Sequence, residues 1–278
     1  MAGGYTSCCD TEDPAAPSQG NQQQIPDPQP EDNTGNQDKD NTGNQETADK
    51  VLSKVEISPY VEVSAMGQKM YFDDKNFTVN IMESNTIQIV APAFKYGEMT
   101  LPSFTIDGIV PGADGTISKE FEVKDADSDS KHVGKISGNY MKQELTYTDK
   151  YGAMPVELSF SLFTDLAAKV AGEYDTKAQC KRTDDDGGEW QSDEKEAKLT
   201  LENAGEDKLT VKIPEFADAK LSATDVADVA VSVKDGGIVL KSDAVNGVIA
   251  SNELAITYVV VDADKTYQVT YSITTTKE

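Results

Sequence analysis

The chain has 278 residues, a formal net charge of -24 and a hydrophobic content of 37%. So acidic a chain repels phosphates and anionic lipid, which argues against nucleic acid as a partner and against adsorption to a membrane through a basic surface. The length suits two ordinary domains behind a polar N-terminal stretch, and no run approaches the roughly 20 apolar residues of a membrane-spanning helix. Its three cysteines, Cys8, Cys9 and Cys180, include no CxxC pair and make no disulfide framework.

Met1-Ala2-Gly3-Gly4 has neither a charged n-region nor an apolar h-region, so a natural leader is expected to have been trimmed or replaced. Gly4-Tyr5-Thr6-Ser7-Cys8 then sets small residues ahead of a cysteine and a polar linker. This resembles the tail of a bacterial lipobox, with Tyr5 where that pattern usually carries Leu. Cys8 is the candidate lipidation site, because choosing Cys9 would place Cys8 in the small-residue slot. Cys9-Asp10-Thr11-Glu12-Asp13 is similar to the acidic surface-export signal of Bacteroidetes lipoproteins. The bland alternative is two idle thiols in a disordered tail. Residues 13–49 are low in complexity, and Asp32-Asn33-Thr34-Gly35-Asn36-Gln37 recurs as Asp40-Asn41-Thr42-Gly43-Asn44-Gln45. With almost nothing to bury, ordering them would cost entropy without return, so residues 1–50 read as an anchor region and disordered linker.

From Val51 the apolar spacing turns strand-like: Val55, Ile57, Tyr60 and Val63, then Phe77, Val79 and Ile81, with turn residues between short runs. Thr86–Ile109 reads as a strand, a kink at Pro92, a turn and a second strand. Lys208–Val231 repeats that plan, with Pro214-Glu215-Phe216 where the first copy has Pro92-Ala93-Phe94. Each copy later reaches a matched strand pair. Glu144–Tyr147 leads to Pro155–Phe160, and Glu253–Ile256 leads to Gln268–Ile273. A domain-sized repeat of this kind predicts two copies, 51–168 and 169–278, joined by a helical turn at Asp165–Lys169. Further strands are expected at Ile117–Val123, Lys198–Glu202, Val226–Val233, Ile238–Lys241, Leu254–Val261 and Tyr267–Thr275. About eight short antiparallel strands per copy suit an up-and-down barrel, with a sandwich as the second choice.

Gly172-Glu173-Tyr174, Leu101-Pro102, Phe104–Gly108, Gly134–Asn139 and Val156–Phe160 together resemble the calycin-like β-barrel domain of gut Bacteroidetes lipoproteins. The resemblance implies an all-β fold of two tandem antiparallel calycin-like (lipocalin-like) β-barrels after the tether. It also implies an outer-membrane, lipid-anchored, surface-exposed protein that captures a nutrient, a glycan or a peptide, with a TonB-dependent uptake system. Its motifs are packing and turn features, so they carry no chemistry. A structural or adhesive surface protein with packed barrels is the alternative.

No catalytic constellation emerges, no cofactor is expected, and the chain is read as a non-enzyme. The single histidine, His132, ends the polar run Asp125–His132 and reads as an exposed turn residue, with Ser128 and Asp129 too local for a triad. Asp125, Asp127 and Asp129 alternate like the start of a Ca²⁺ loop, yet Ser130 and Ile136 fall where Gly and Glu are required, so no metal site is assigned. Asp184–Glu189 is a second acidic turn, read as a hairpin tip in preference to a weak Ca²⁺ site. Beside it stands Trp190, the one tryptophan. It is either a sugar platform flanked by Asp186 and Glu189 or a plug for one end of the second barrel. Trp190, Asp186 and Glu189 are therefore the candidate ligand-binding residues. Met66, Met70, Met82, Met99 and Tyr96 are expected to fill an irregular core, with the lining of a pocket as the alternative.

Overall fold

The computed structural model describes residues 49–251 and 253–274, so the spacer and Cys8 lie outside the described residues. The first strands are β1 (Val51–Ile57), β2 (Tyr60–Ala65), β3 (Gln68–Phe72), β4 (Phe77–Met82) and β5 (Ile87–Ala91). A small hairpin, β6 (Phe94–Tyr96) and β7 (Met99–Leu101), precedes β8 (Phe104–Ile109). Next come β9 (Thr116–Lys124), β10 (Lys131–Asn139), β11 (Glu144–Tyr151) and β12 (Leu158–Phe163). The expected helical turn is α1 (Leu166–Val170), capped by Asp165, whose Oδ1 accepts from the Ala168 amide at 2.8 Å.

The C-terminal half opens with β13 (Gly172–Asp184), β14 (Glu189–Gln191), β15 (Lys195–Gly205) and β16 (Lys208–Ile213). It continues through β17 (Thr224–Lys234), β18 (Gly237–Lys241), β19 (Val245–Ala250), β20 (Glu253–Asp262) and β21 (Lys265–Thr274). β13 pairs with both β14 and β15, each strand from β15 on pairs antiparallel with the next, and β13 returns to pair with β21 from Lys177↔Ser272 to Asp184↔Lys265. β14 and β15 lie along the same side of β13 and act as one stave broken near Ser192, whose Oγ accepts from the Cys180 amide at 3.0 Å. The result is a closed eight-stranded antiparallel barrel. Eight strands enclose a space that side chains can fill. Here Ala178, Cys180, Leu199, Leu240, Ile256 and Tyr271 are fully buried in it.

The N-terminal half differs. Ser58-Pro59 and the bend near Asp73 carry a long hairpin from one sheet to another, so β1 pairs with β4 while β2 pairs with β3. Ser58 Oγ ties the two corners by donating to Asn76 Oδ1 at 2.6 Å. Pro59 has no amide proton to give a ladder, which suits it to the corner. One sheet runs β1-β4-β5-β8 and the other β3-β2-β12-β11-β10-β9, both around a single core that includes Phe77, Ile89, Phe94, Ile106, Leu158 and Phe160. Among the described residues no ladder joins β8 to β9. Instead Lys119 of β9 donates to the carbonyl oxygens of Asp107 and Gly108, the latter at 3.0 Å. The expectation of two closed barrels is thus met by a closed ladder in the C-terminal half alone.

The repeated plan is visible in both halves. Phe94 and Phe216 follow their matched prolines, and both are buried at the start of the insertion between paired strands. A β-hairpin forms that insertion in the first half and a 3₁₀ turn at Ala217–Ala219 in the second. The methionines divide. Met82 is buried and Met70 and Met99 pack on the first core, whereas Met66 is exposed at a turn.

The halves meet along α1, β2 and β3. Tyr71 of β3 is buried in the core of the C-terminal half, and its amide donates to the Gly236 carbonyl at 2.9 Å. The φ of +78° at Gly236 favours glycine, and a Cβ there would lie 2.9 Å from the flexible end of Met70 at Cε. Tyr60 Oη donates to Asp207 Oδ2 at 2.5 Å, and Asp207 Oδ1 accepts from the Leu166 amide at 3.0 Å. Burial, reinforced by the Asp207 bond, pushes the Tyr60 phenol up to about 12.

Candidate functional site

Trp190 sits on the short β14, half-buried and packed on the barrel core, with the Arg182 guanidinium carbon 5.9 Å from its ring centroid. Its two expected partners are engaged elsewhere. Glu189 forms an exposed ion pair with Lys181 at 2.9 Å, and Asp186 Oδ1 accepts from the Gly188 amide at 3.1 Å. Asp184 accepts from Arg182 Nη2 at 3.2 Å. The structure therefore brings Trp190 to Arg182 and gives the acidic tip internal turn and ion-pair bonds.

Asp125 likewise serves its own turn. Its carboxylate accepts from the Asp127 amide at 2.9 Å, from Ser128 Oγ at 3.0 Å and from Tyr151 Oη. The Tyr151 bond is the main reason its carboxyl falls below the usual range. Among the described residues no three His, Cys, Asp or Glu side chains gather as a metal-holding group.

His132 requires a correction. Instead of an exposed turn residue it is fully buried on β10, two residues into the strand. Alternation along β10 places His132, Gly134 and Ile136 on one side. His132 stacks on Phe104 at 4.0 Å and 15°, and Tyr151 lies 4.5 Å away on its ring. Its Nδ1 meets Asp149 Oδ2 at 2.8 Å, and that carboxylate is also fully buried. Burial, with the Asp149 charge nearby, holds the adjacent Tyr147 phenol well above its ordinary range. Gly134 permits the close approach, since a Cβ there would fall 1.8 Å from the Thr148 carbonyl oxygen.

The side chains best placed for recognition lie on the outer face of the six-stranded sheet, which no single stretch of sequence marks. Register aligns Ser118, Ser137, Thr146, Ser161 and Glu62 in one row across β9, β10, β11, β12 and β2. A second row runs Lys135, Thr148, Ser159, Ser64 and Lys69. Neighbours within a row are one strand apart, about 4.8 Å, and the rows are two residues apart, about 6.7 Å. Six of these hydroxyls, with Glu62 and Lys135, line an open groove of about 330 Å³ floored by the backbone at Tyr147 and Phe160, whose rings turn into the core. Ser137 Oγ and Thr146 Oγ1 are 3.2 Å apart across the ladder. A hydroxyl both donates and accepts, so these rows match a partner that is itself an array of hydroxyls. Alternation of Ser and Thr in β11 and β12 was a readable signal, but the order in which strands adjoin was not.

Fold and face together define an all-β protein built on a closed eight-stranded antiparallel barrel and a two-sheet half that carries a polar open groove. No family model matches the chain, and no curated protein matches it. Among solved structures it is similar to a candidate outer membrane protein of Bacteroides fragilis NCTC 9343. That similarity is 16% identity over 79% of this chain and 96% of that one, with a TM-score of 0.34.

Proposed function

We propose that the chain is a non-catalytic binding protein, held at the outer membrane by a lipid on Cys8, whose binding element is the hydroxyl-lined face of the six-stranded sheet. The observation that carries this reading is the pair of hydroxyl rows in an open groove. A neutral glycan is the ligand class they suit, because each sugar hydroxyl finds a donor or acceptor at strand spacing and no net charge must be desolvated. The non-catalytic part is supported by His132, the chain's one imidazole, which is sealed between Phe104 and Tyr151 beyond reach of an external substrate. The shared strand plan supports reading both halves as calycin-like barrels, the first opened between β8 and β9. Surface placement and work beside a TonB-dependent uptake system follow from the lipoprotein resemblance, and the polar stretch before residue 50 would serve as the tether.

Affinity electrophoresis against a panel of neutral polysaccharides tests the site. At least one is expected to retard the wild type, and Thr146→Arg/Ser161→Arg is expected to weaken binding about tenfold, about 1.4 kcal/mol. Equal retardation of both proteins would remove the groove from consideration. A structural or adhesive role is the second reading, favoured by the side chains that fill the closed barrel, and it gains if no glycan retards the protein. For the anchor, expression behind a lipoprotein leader with labelled palmitate is expected to label the wild type and not Cys8→Ala. Label that persists in the variant would end that part.

A further inference from the structure

Where α1 meets β2 and β3, the two halves leave a pocket of about 290 Å³. Its polar wall holds Glu62, Lys69, Tyr71 and Lys169, contributed by the N-terminal sheet and the connecting helix. The aliphatic part of its lining comes from Val170, Ile249, Leu254 and Ile273, with Tyr174 and Ser251 beside them. Glu62 is 7% exposed, although it points from the outer face of β2, because the second half covers it.

Three donors converge on one oxygen of Glu62. Tyr71 Oη reaches Oε2 at 2.9 Å, while Lys69 Nζ and Lys169 Nζ each stand 3.4 Å from the same atom. Burial pushes the Glu62 carboxyl up, but Lys169, the Tyr71 bond and Lys69 outweigh it and hold the group below its usual value, ionised. A well-made ammonium–carboxylate bond is about 2.8 Å long, so both lysines are loosely engaged and each has protons to spare. Two cations share one buried anion, and both stand close enough to its oxygen for a second carboxylate to bridge them. Glu253, the other acid lining the pocket, is exposed. Its charge is accordingly screened by water.

We propose that this seam pocket binds a small monocarboxylate with an apolar body, its carboxylate bridging Lys69 and Lys169 and its body lying on Val170, Ile249, Leu254 and Ile273. At Glu62 Oε2 two ammoniums face one carboxylate, which leaves a place for a second carboxylate, and the aliphatic lining calls for a hydrocarbon. A volume near the lower end for ligand sites, about 300 Å³, limits the body to a ring or a short chain. The site is distinct from the hydroxyl groove, which meets it only at Glu62.

Calorimetric titration of the full chain with 3-phenylpropionate, 3-phenylpropan-1-ol and 3-phenylpropylamine tests it. The acid is expected to bind the wild type at least tenfold tighter than the alcohol, and the amine weakest. Lys69→Met/Lys169→Met should bring the acid down to the alcohol, whereas Lys69→Arg/Lys169→Arg should keep the preference. Leu254→Trp, which fills the pocket, should abolish binding of acid and alcohol alike. Thermal melts of each variant separate lost binding from lost fold, and Lys169→Met alone, expected to lose most of the preference, is read if the methionine pair fails to fold. No saturable heat with the acid, equal affinity for acid and alcohol, or a preference that survives the methionine pair would overturn the proposal. None of these outcomes bears on glycan retention, which is read from Thr146 and Ser161.

Discussion

At the scale of single residues, His132 and Asp149 are the costliest choice in the N-terminal core. Both side chains are wholly buried, and their one mutual contact is 2.8 Å. His132 Nε2, Asp149 Oδ1 and the neighbouring Tyr147 Oη have no protein partner. Removing one member of such a pair leaves the other stranded in an apolar surround, whereas replacing both with well-packed hydrocarbon is often neutral. His132→Leu is therefore expected to cost about 3 kcal/mol, and His132→Phe/Asp149→Leu to recover most of that loss. Urea unfolding curves for the two variants measure it. A double variant no more stable than the single one would mean that the pair itself stabilises the core.

At the scale of elements, what could be read in advance was whatever depends on neighbours along the chain. Alternation located β9 at Ile117–Val123 within a residue at either end, and Asp165 marked the start of α1. Matching the two copies placed Phe94 and Phe216 at equivalent points. His132 was missed because the polar run from Asp125 to Lys131 hides the first residues of β10. In that run Asp125 spends its carboxylate on a tight turn, so the strand begins earlier than polarity suggests. The break between β8 and β9 was hidden for a different reason. Whether two consecutive strands keep a ladder depends on how the sheets twist and part, which is not local. Lys119 did leave a trace, since it stands between Ile117 and Phe121 on the inward side of β9. A charge at such a position is a known way to blunt a strand edge. The full width of the hydroxyl rows was hidden likewise, because Ser64 and Glu62 join them only once β2 lies beside β12.

At the scale of the whole molecule, the question is whether the halves unfold as one. Tyr71 leaves its own sheet to complete the C-terminal core, and Tyr60, Asp207 and Leu166 tie the same seam. Glu62 gives that seam a pH dependence. Its folded carboxyl lies below the ordinary 4.5, so the unfolded chain takes up the proton first as pH falls. Stability from Glu62 is thus fully present above 4.5 and lost as pH drops through the lower, folded value. Trp190 supplies a reporter for the C-terminal half alone, while backbone circular dichroism reports on every strand. In the wild type the two signals should change together in urea, as one cooperative unit requires. Glu62→Gln should lower the midpoint at neutral pH and flatten its fall below 4.5, since Lys69 and Lys169 lose their anion and no carboxyl is left there to titrate. Tyr71→Ala should go further: removing a large buried side chain costs roughly 3–5 kcal/mol, all of it at the junction. The Trp190 transition is then expected at lower urea than the main circular dichroism change. Signals that stay superimposed in Tyr71→Ala would show that the remaining seam contacts suffice to couple the halves without it.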